Sequence, residues 1–141
     1  MSQGTFKKVG ESTERMYGPR ALLVCGFTVD EQQAFMALLS GLRLTDVPVV
    51  FAASADGAVP LKDLFLRPDQ SGRGEAADFS RAVILSGVAE NELHQILAAY
   101  RAGGLPRPLW ATLTPYSEEW ALSQLLEELN AERAAENREK G

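Results

Sequence analysis

The sequence predicts an α/β protein with a four-stranded, mainly parallel sheet and helices on both of its faces. The first observation is an internal similarity at a spacing of 61 positions, at which Arg20–Phe27 aligns with Arg81–Val88. The second is that the predicted strands are apolar at nearly every position, which is typical of strands covered on both faces. The third is the alternation of strand and helix patterns along the chain. Together these observations predict a strand–helix–strand–helix unit that occurs twice.

The first predicted unit opens with the strand Ala21–Phe27, which is apolar except at Gly26. The segment Thr28–Glu31 has the pattern of a capping box, in which the Thr hydroxyl and the Glu carboxylate accept hydrogen bonds from free amides at a helix start. A second apolar strand covers Val47–Ala53, and a short helix between Pro60 and Pro68 completes the unit. The helix after Thr28 shows one apolar stripe, formed by Phe35, Leu38, Leu39 and Leu42.

The second predicted unit follows a loop over residues 67–80 that is rich in glycine and charge. It contains the strand Ala82–Val88, a helix over 90–102 and the strand Leu109–Thr114. Ser117 is the predicted N-cap of the last helix, because Glu118 and Glu119 then lie at its positive end. The apolar stripe of that helix consists of Leu122, Leu125, Leu126 and Leu129.

The pattern predicts one domain over residues 20–133, preceded by a flexible polar leader at 1–19 and followed by a frayed charged tail at 134–141. A ferredoxin-like α+β sandwich stays open as the alternative, because the helix at Pro60–Leu66 is short enough to lie in a loop between antiparallel strands. The parallel arrangement is favoured, since that segment carries its own apolar stripe, which aligns with the stripe of the last helix.

Composition excludes several classes of function. The net charge of −5 disfavours contact with nucleic acid, whose phosphates an acidic surface repels. No apolar run is long enough to span a membrane, and residues 1–19 lack the apolar stretch of a secretory signal. The single cysteine forbids an internal disulfide and fits a reducing environment. We therefore expect a cytoplasmic protein that does not bind membranes.

The sequence provides no evident catalytic group and no reason to expect a metal or cofactor. Cys25 closes an apolar strand and is expected to be buried, and His94 lies off the apolar stripe of its helix, so the two have no reason to meet. Glu31 and Glu92 occupy matching positions in the two units, but each is placed to cap a helix rather than to form a catalytic pair. The balance is against an enzyme.

Two groups of residues remain as candidates for binding. Small polar residues at the predicted strand ends could form a rim that takes a small ligand or nucleotide: Thr28, Ser54, Asp56, Ser86 and Thr114. A second group lies off the leucine stripe of the last helix and could anchor a protein partner: Tyr116, Trp120 and Gln124. The favoured function is a non-catalytic protein-interaction or regulatory module, with a protein partner or a homodimer as its complex. A ligand-binding regulatory domain is the alternative.

Residues 81–129 resemble the bacterial domain of unknown function 3783. The resemblance is carried by a strand ending in Gly, a Pro-containing turn, an "A-x-x-T" strand and the start of the last helix. The matching residues here are Ser86-Gly87, Glu92, Leu105-Pro106, Ala111–Thr114 and Trp120–Leu122, with Ala121 where the family has Thr. The resemblance implies a bacterial cytoplasmic protein without an assigned activity. Some members carry a PP-loop ATPase label, but Ser86–Asn91 lacks the second Gly, the Asp and the final Ser of such a loop.

Overall fold

Strands and helices alternate along the chain in the predicted order. The structure is a computed structural model, and it describes residues 13–140. The elements are β1 (Ala21–Cys25), α1 (Val29–Gly41), β2 (Val49–Phe51), a 3₁₀ helix (Ser54–Ala58), α2 (Leu61–Leu64), β3 (Ala82–Ser86), α3 (Glu90–Ala102), β4 (Leu109–Thr112) and α4 (Leu122–Lys140).

The four strands form one mixed sheet in the order β2-β1-β3-β4. The two outer pairs, β1 with β2 and β3 with β4, are parallel. The central pair is antiparallel and runs from Ala21 opposite Ser86 to Cys25 opposite Ala82, with Leu23 opposite Ile84 at its middle. The predicted α/β class with a mainly parallel sheet is therefore confirmed. The antiparallel centre, which the sequence did not reveal, directs the carboxyl ends of the two parallel pairs toward opposite ends of the sheet.

Helices cover both faces of the sheet, because alternate strand residues point to opposite sides. On one face, Leu22 and Val24 pack with residues of α1 and α3, including Phe35 and Ile96. On the other face, Leu23 and Cys25 pack with residues of α2 and α4. A ferredoxin-like sandwich would place its helices on one side of the sheet only. The alternative fold is therefore not the one adopted.

The spacing of 61 positions is visible in the bounds of the elements. Strands β1 and β3 begin 61 residues apart, and so do helices α1 and α3. Leu23 faces Ile84, which is its own counterpart at this spacing, and an isolated bridge joins Pro60 to its counterpart Ala121. The two halves therefore meet around an approximate two-fold axis. That they arose by duplication stays a prediction.

Each strand-to-helix turn of the central strands depends on a glycine. Gly26 and Gly87 have φ angles of 71° and 63°, in the left-handed region that other residues adopt at a cost. A Cβ added to Gly26 would lie 2.2 Å from the carbonyl oxygen of Phe79, and one added to Gly87 would lie 2.4 Å from that of Gly18. The predicted capping box then starts α1, with Thr28 Oγ1 accepting from the Glu31 amide at 3.1 Å and Glu31 accepting from the Thr28 amide at 3.0 Å.

Two ion pairs join the two units in a reciprocal way. Arg20, just before β1, donates two hydrogen bonds of 2.7 Å to the carboxylate of Glu92 in the first turn of α3. Arg81, just before β3, donates two of 2.9 Å to Glu31 in the first turn of α1. These arginines lower the pKa of Glu92 and of Glu31, although partial burial acts in the opposite direction. Each ion pair connects the residue before the first strand of one unit to the first helix of the other unit.

The expected N-cap of α4 is wrong, whereas the flexible leader and the frayed tail stay predictions. Ser117 is not the N-cap of α4, which begins at Leu122; its hydroxyl instead accepts from the Thr114 amide at 3.2 Å in the preceding turn. Residues 1–12 of the predicted leader lie outside the described residues. The part at 13–19 packs on the second unit, where Met16 N–H donates to the Val88 carbonyl at 2.9 Å. Helix α4 continues to Lys140, through the segment expected to fray.

We predict that Glu92→Gln removes the attraction to Arg20 while it keeps the hydrogen bond that the side chain accepts from the Ala89 amide, since Gln also serves at this position. The loss should be about 1–2 kcal/mol of unfolding free energy at pH 7. Because the pKa of Glu92 is lowered from its ordinary 4.5, the pair's contribution is complete above about pH 4.5 and is lost as the pH falls through the lowered value. The wild type and the variant should therefore converge in acid.

Urea unfolding between pH 3 and pH 7 measures this difference. Glu128→Gln, at an exposed position on α4, is the matched control and should change stability by less than about 0.5 kcal/mol. A gap between the wild type and Glu92→Gln that stays constant down to pH 3 would contradict the role of this pair.

Candidate functional site

The residues of the predicted ligand rim lie at two opposite ends of the sheet. Thr28, Ser54 and Asp56 follow β1 and β2 at one end, whereas Ser86 and Thr114 lie where β3 and β4 finish at the other. The antiparallel central pair causes this separation, because it reverses the direction of the second unit relative to the first. The structure does not bring the five residues together into one rim.

The rim residues near β1 and β2 have structural partners. Thr28 caps α1 with its hydroxyl. Asp56 is buried, and its carboxylate accepts from Arg67 at 2.7 and 3.0 Å and from the Ala53 amide at 2.7 Å. Burial acts to raise the pKa of Asp56, but these donors hold it below its ordinary value. Ser54 is exposed at the start of the 3₁₀ helix. None of these groups is arranged to act as an acid or a base.

Ser86 and Thr114 differ from each other in their environment. The hydroxyl of Thr114 accepts from the amides of Tyr116 and Ser117, so it stabilises a turn. Ser86 is fully buried at the end of β3, and its hydroxyl has no hydrogen-bond partner among the described residues. Its counterpart at the spacing of 61 is Cys25, an apolar group in the same kind of position. The hydroxyl of Ser86 is thus a buried polar group without a partner at a position where the first unit has an apolar side chain.

We predict that Ser86→Ala leaves stability unchanged or raises it by up to about 1 kcal/mol, because it removes a buried hydroxyl without a partner. Thr28→Ala is the control, since that hydroxyl caps a helix and its removal should cost about 1 kcal/mol. Urea unfolding at neutral pH measures both variants. A loss of more than about 1 kcal/mol in Ser86→Ala would show that the hydroxyl does have a partner.

The predicted interface residues are not equally available. Tyr116 is 86% exposed, and Gln124 is exposed on α4. Trp120 is half-buried against the core between the sheet and α4. Its backbone carbonyl accepts from the Leu61 amide at 2.9 Å, so the backbone at Trp120 takes part in the contact between the two units. The side chain of Trp120 therefore serves the core as well as the surface.

The remaining chemical candidates, Cys25 and His94, lie in different environments. Cys25 is completely buried, and burial raises the pKa of its thiol far above the ordinary value, so the reactive thiolate is disfavoured. His94 is exposed on α3. Across residues 13–140, no group of three or more His, Cys, Asp or Glu side chains could hold a metal ion. Within the same range, no helix has the length and apolarity needed to cross a membrane.

We predict that a thiol reagent at neutral pH labels Cys25 at least 100-fold more slowly in the native protein than in 6 M urea, on the order of what burial and protonation together imply. Absorbance of the released chromophore measures the rate. A native rate close to that of the unfolded chain would contradict the burial of the thiol and would indicate that Cys25 is a reactive group.

The two outer edges of the sheet differ in whether their outward backbone groups have hydrogen-bond partners. The outward-facing backbone groups of β2 are covered by the loop after α2. Val49 N–H donates to the Asp69 carboxylate at 2.8 Å, and the Gln70 amide donates to the Val49 carbonyl at 2.6 Å. Phe51 N–H donates to the carbonyl of Ser71 at 2.8 Å. This edge is therefore closed to another strand.

The outer edge of β4 is open over its middle residues. Leu109 and Leu113 donate their amides to β3, so the backbone groups of the alternate residues Trp110 and Thr112 point away from the sheet. No hydrogen-bond partner for these outward groups is found among the described residues. Trp110 and Thr112 are the counterparts, at the spacing of 61, of the covered Val49 and Phe51. Along this edge, two N–H and two C=O groups in a row thus have no partner within residues 13–140.

Both ends of this open stretch are closed. At the amino end, Pro108 has no amide hydrogen, and its carbonyl accepts from Arg133 of α4 at 2.8 Å. At the carboxyl end, the Thr114 amide donates to the Ser117 hydroxyl at 3.2 Å, and the Thr114 carbonyl accepts from the Ser117 and Glu118 amides. As far as the structure describes the chain, the unpaired groups of this edge are therefore those of Trp110 and Thr112.

A hollow borders the open edge on each side of β4. On the α3 side its volume is about 420 Å³, and the ring of Trp110 meets that of Tyr100 edge to face with centroids 5.3 Å apart. Burial raises the pKa of Tyr100 to about 12, and its hydroxyl donates to the Pro106 carbonyl at 2.5 Å. On the α4 side the hollow measures about 200 Å³. Charged residues of both signs line the two hollows: Arg101, Arg107, Glu132, Arg133 and Glu136.

In the sequence, Trp110 lies within the predicted strand Leu109–Thr114, and nothing there marks that strand as an open edge. The structure shows Trp110 half-buried, in contact with the core on one side and bordering both hollows. Pro106 and Pro108 before the strand are a signal typical of edge strands. The signal was not decisive, because Pro48 precedes β2 in a similar way and that edge is covered.

The fold and this site define a small α/β protein whose mixed sheet has one covered edge and one open edge. Residues 81–135 match the family model described as Domain of unknown function (DUF3783). The match confirms the resemblance predicted for this part of the chain, and it contains β3, α3, β4 and most of α4, including the open edge. No curated protein matches the chain, and no solved structure matches it.

Proposed function

We propose that this protein is a non-catalytic interaction module that takes up another polypeptide along the outer edge of β4. The carrying observation is the row of unpaired backbone groups at Trp110 and Thr112. An open strand edge is a template for pairing, and proteins that do not use an edge cover it or interrupt it with charge. Within residues 13–140, a loop covers the edge of β2, and no segment pairs with the outer edge of β4.

The side chains around the edge support the same function. Trp110 supplies a large, half-buried aromatic surface that its contact with Tyr100 holds in place. Aromatic residues and arginines are enriched at the centres of protein interfaces, and Arg101 and Arg107 border the hollow beside Trp110. A partner strand would gain hydrogen bonds from the backbone and a pocket for one side chain in this hollow.

Three finer points belong to the proposal. A bacterial cytoplasmic setting is suggested by the family resemblance and by the single, buried cysteine. A regulatory role fits a module that binds a partner without assembling a catalytic group. An internal duplication is supported by the matched bounds of β1 with β3 and of α1 with α3.

A small-ligand function is the second candidate, and the hollow beside α3 is the observation that favours it. Its volume of about 420 Å³ lies within the range of small-molecule sites. Two aromatic rings and two guanidinium groups suit an anionic ligand with a planar ring, such as a nucleotide. A nucleotide that raises the melting temperature of the wild type but not of Arg107→Ala would favour this candidate.

We predict that short peptides selected by display against the dilute protein bind along β4. Thr112→Pro, which removes one outward amide and blocks the edge, should weaken their binding about 10-fold or more, since one lost hydrogen bond costs about 1 kcal/mol and the ring excludes the partner strand. Thr112→Val keeps the backbone groups and a branched side chain, so it should bind within about twofold of the wild type.

Fluorescence anisotropy of labelled peptides measures the affinities, and circular dichroism shows that both variants are folded. Peptides that bind the wild type and Thr112→Pro equally would place their site elsewhere on the surface. Failure to enrich any peptide, in a protein that also stays monomeric, would remove the support for the proposed function.

A further inference from the structure

We infer that the occupant of the β4 edge is a second copy of this chain, which pairs its own β4 antiparallel to the first and forms a continuous eight-stranded sheet. This inference rests on the proposed interaction function and names its partner. A symmetric dimer requires each copy to offer the surface that the other needs. The open edge meets this requirement in its hydrogen bonds, its side chains and its charges.

The backbone groups select a single register. With Ala111 on the two-fold axis, Trp110 of each copy lies opposite Thr112 of the other, and each such pair exchanges two hydrogen bonds. All of the outward N–H and C=O groups of Trp110 and Thr112 are then satisfied. An axis at Trp110 would instead bring Thr112 opposite Pro108, which has no amide and whose carbonyl already accepts from Arg133. An axis at Thr112 would bring Trp110 opposite Thr114, whose amide is already bonded to Ser117.

The side chains suit this register. Ala111 at the axis is small, so the two strands can approach to the Cα separation of about 4.5 Å that a non-hydrogen-bonded pair requires. On the α3 face, the indole of Trp110 would lie across from Thr112 of the second copy, twice by symmetry. Pairs of an aromatic with a β-branched residue are favourable across antiparallel strands.

The charges permit self-association at this edge. The chain carries a net charge of −5, so two copies repel each other over most of their surfaces. The border of the β4 edge is not acidic, because three arginines, Arg101, Arg107 and Arg133, accompany the two glutamates Glu132 and Glu136 there. A two-fold axis through a strip of mixed sign can place the arginines of one copy near the glutamates of the other.

The fold already contains a junction of the same kind. Strands β1 and β3 pair antiparallel around an approximate two-fold axis, where Leu23 faces its counterpart Ile84. The two units of one chain therefore join through their first strands. In the dimer, the second units of the two copies would join through β4, which is the second strand of that unit. The antiparallel pairing of β4 with its copy would then set the relative direction of all the other strands.

The oligomeric state tests the inference. Light scattering over a range of concentrations should show the wild type and Thr112→Val approaching about twice the chain mass of 15.3 kDa. Thr112→Pro should remain a monomer under the same conditions. In hydrogen exchange of the wild type, the amides of Trp110 and Thr112 should become more protected as the concentration rises.

Cross-linking provides a second measurement that does not depend on the proline variant folding. Ala111→Cys places two thiols at the axis, where the strand spacing allows a disulfide between copies. Mild oxidation should then link most of this variant into a covalent dimer, because the native Cys25 is buried and does not compete. Leu66→Cys, at a position 72% exposed and away from β4, is the control and should not give the same yield.

Two results would overturn self-pairing. One is a protein that stays monomeric and whose Ala111→Cys variant does not cross-link above the control; edge-specific peptides would then still support the proposed function with another partner. The other is a dimer that persists in Thr112→Pro, which would move the interface away from β4. Loss of that dimer in Trp120→Ala would locate it at Tyr116, Trp120 and Gln124.

Discussion

The antiparallel pairing of β1 with β3 is the constraint on which the rest of the structure depends. It is the longest strand pairing in the sheet, and it joins the two units through strands that are buried at every position. The reciprocal ion pairs of Arg20 with Glu92 and of Arg81 with Glu31 lie across it and fix each helix start to the other unit. Because this pairing occupies the centre, β2 and β4 must form the two edges, and the carboxyl ends of the strands separate.

This separation explains why the strand ends carry no assembled site. In an open parallel sheet the carboxyl ends converge at one edge, where polar residues can surround a ligand. Here the polar residues of the two units lie at opposite ends of the sheet, and they form local hydrogen bonds. The hydroxyl of Thr28 caps a helix, and Asp56 binds Arg67. The features that point to recognition lie instead along β4, where Trp110 is half-buried and the outward backbone groups of Trp110 and Thr112 have no partner among the described residues.

A single proline accounts for much of the difference between the two edges. Pro68 lies just beyond α2 and prevents that helix from continuing, so the chain turns back and covers the edge of β2 through Asp69, Gln70 and Ser71. The residue at the matching position of the second unit is Leu129, which packs against the core within α4. Helix α4 continues past it, and no equivalent loop returns to β4 among the described residues. Two similar units thus present one closed edge and one open edge.

The sequence by itself determined the α/β class, the order of the elements, the capping of α1 and the burial of Cys25. These features depend on local periodicity and on contacts between residues a few positions apart, so the local sequence determines them. Only the tertiary structure decided the direction of the central pair and which strand forms an open edge. The apolar pattern of a strand such as Ala82–Ser86 does not indicate whether its neighbour is parallel or antiparallel, because both arrangements bury the same side chains. The site at Trp110 follows from that choice, and therefore from contacts between residues far apart in the chain.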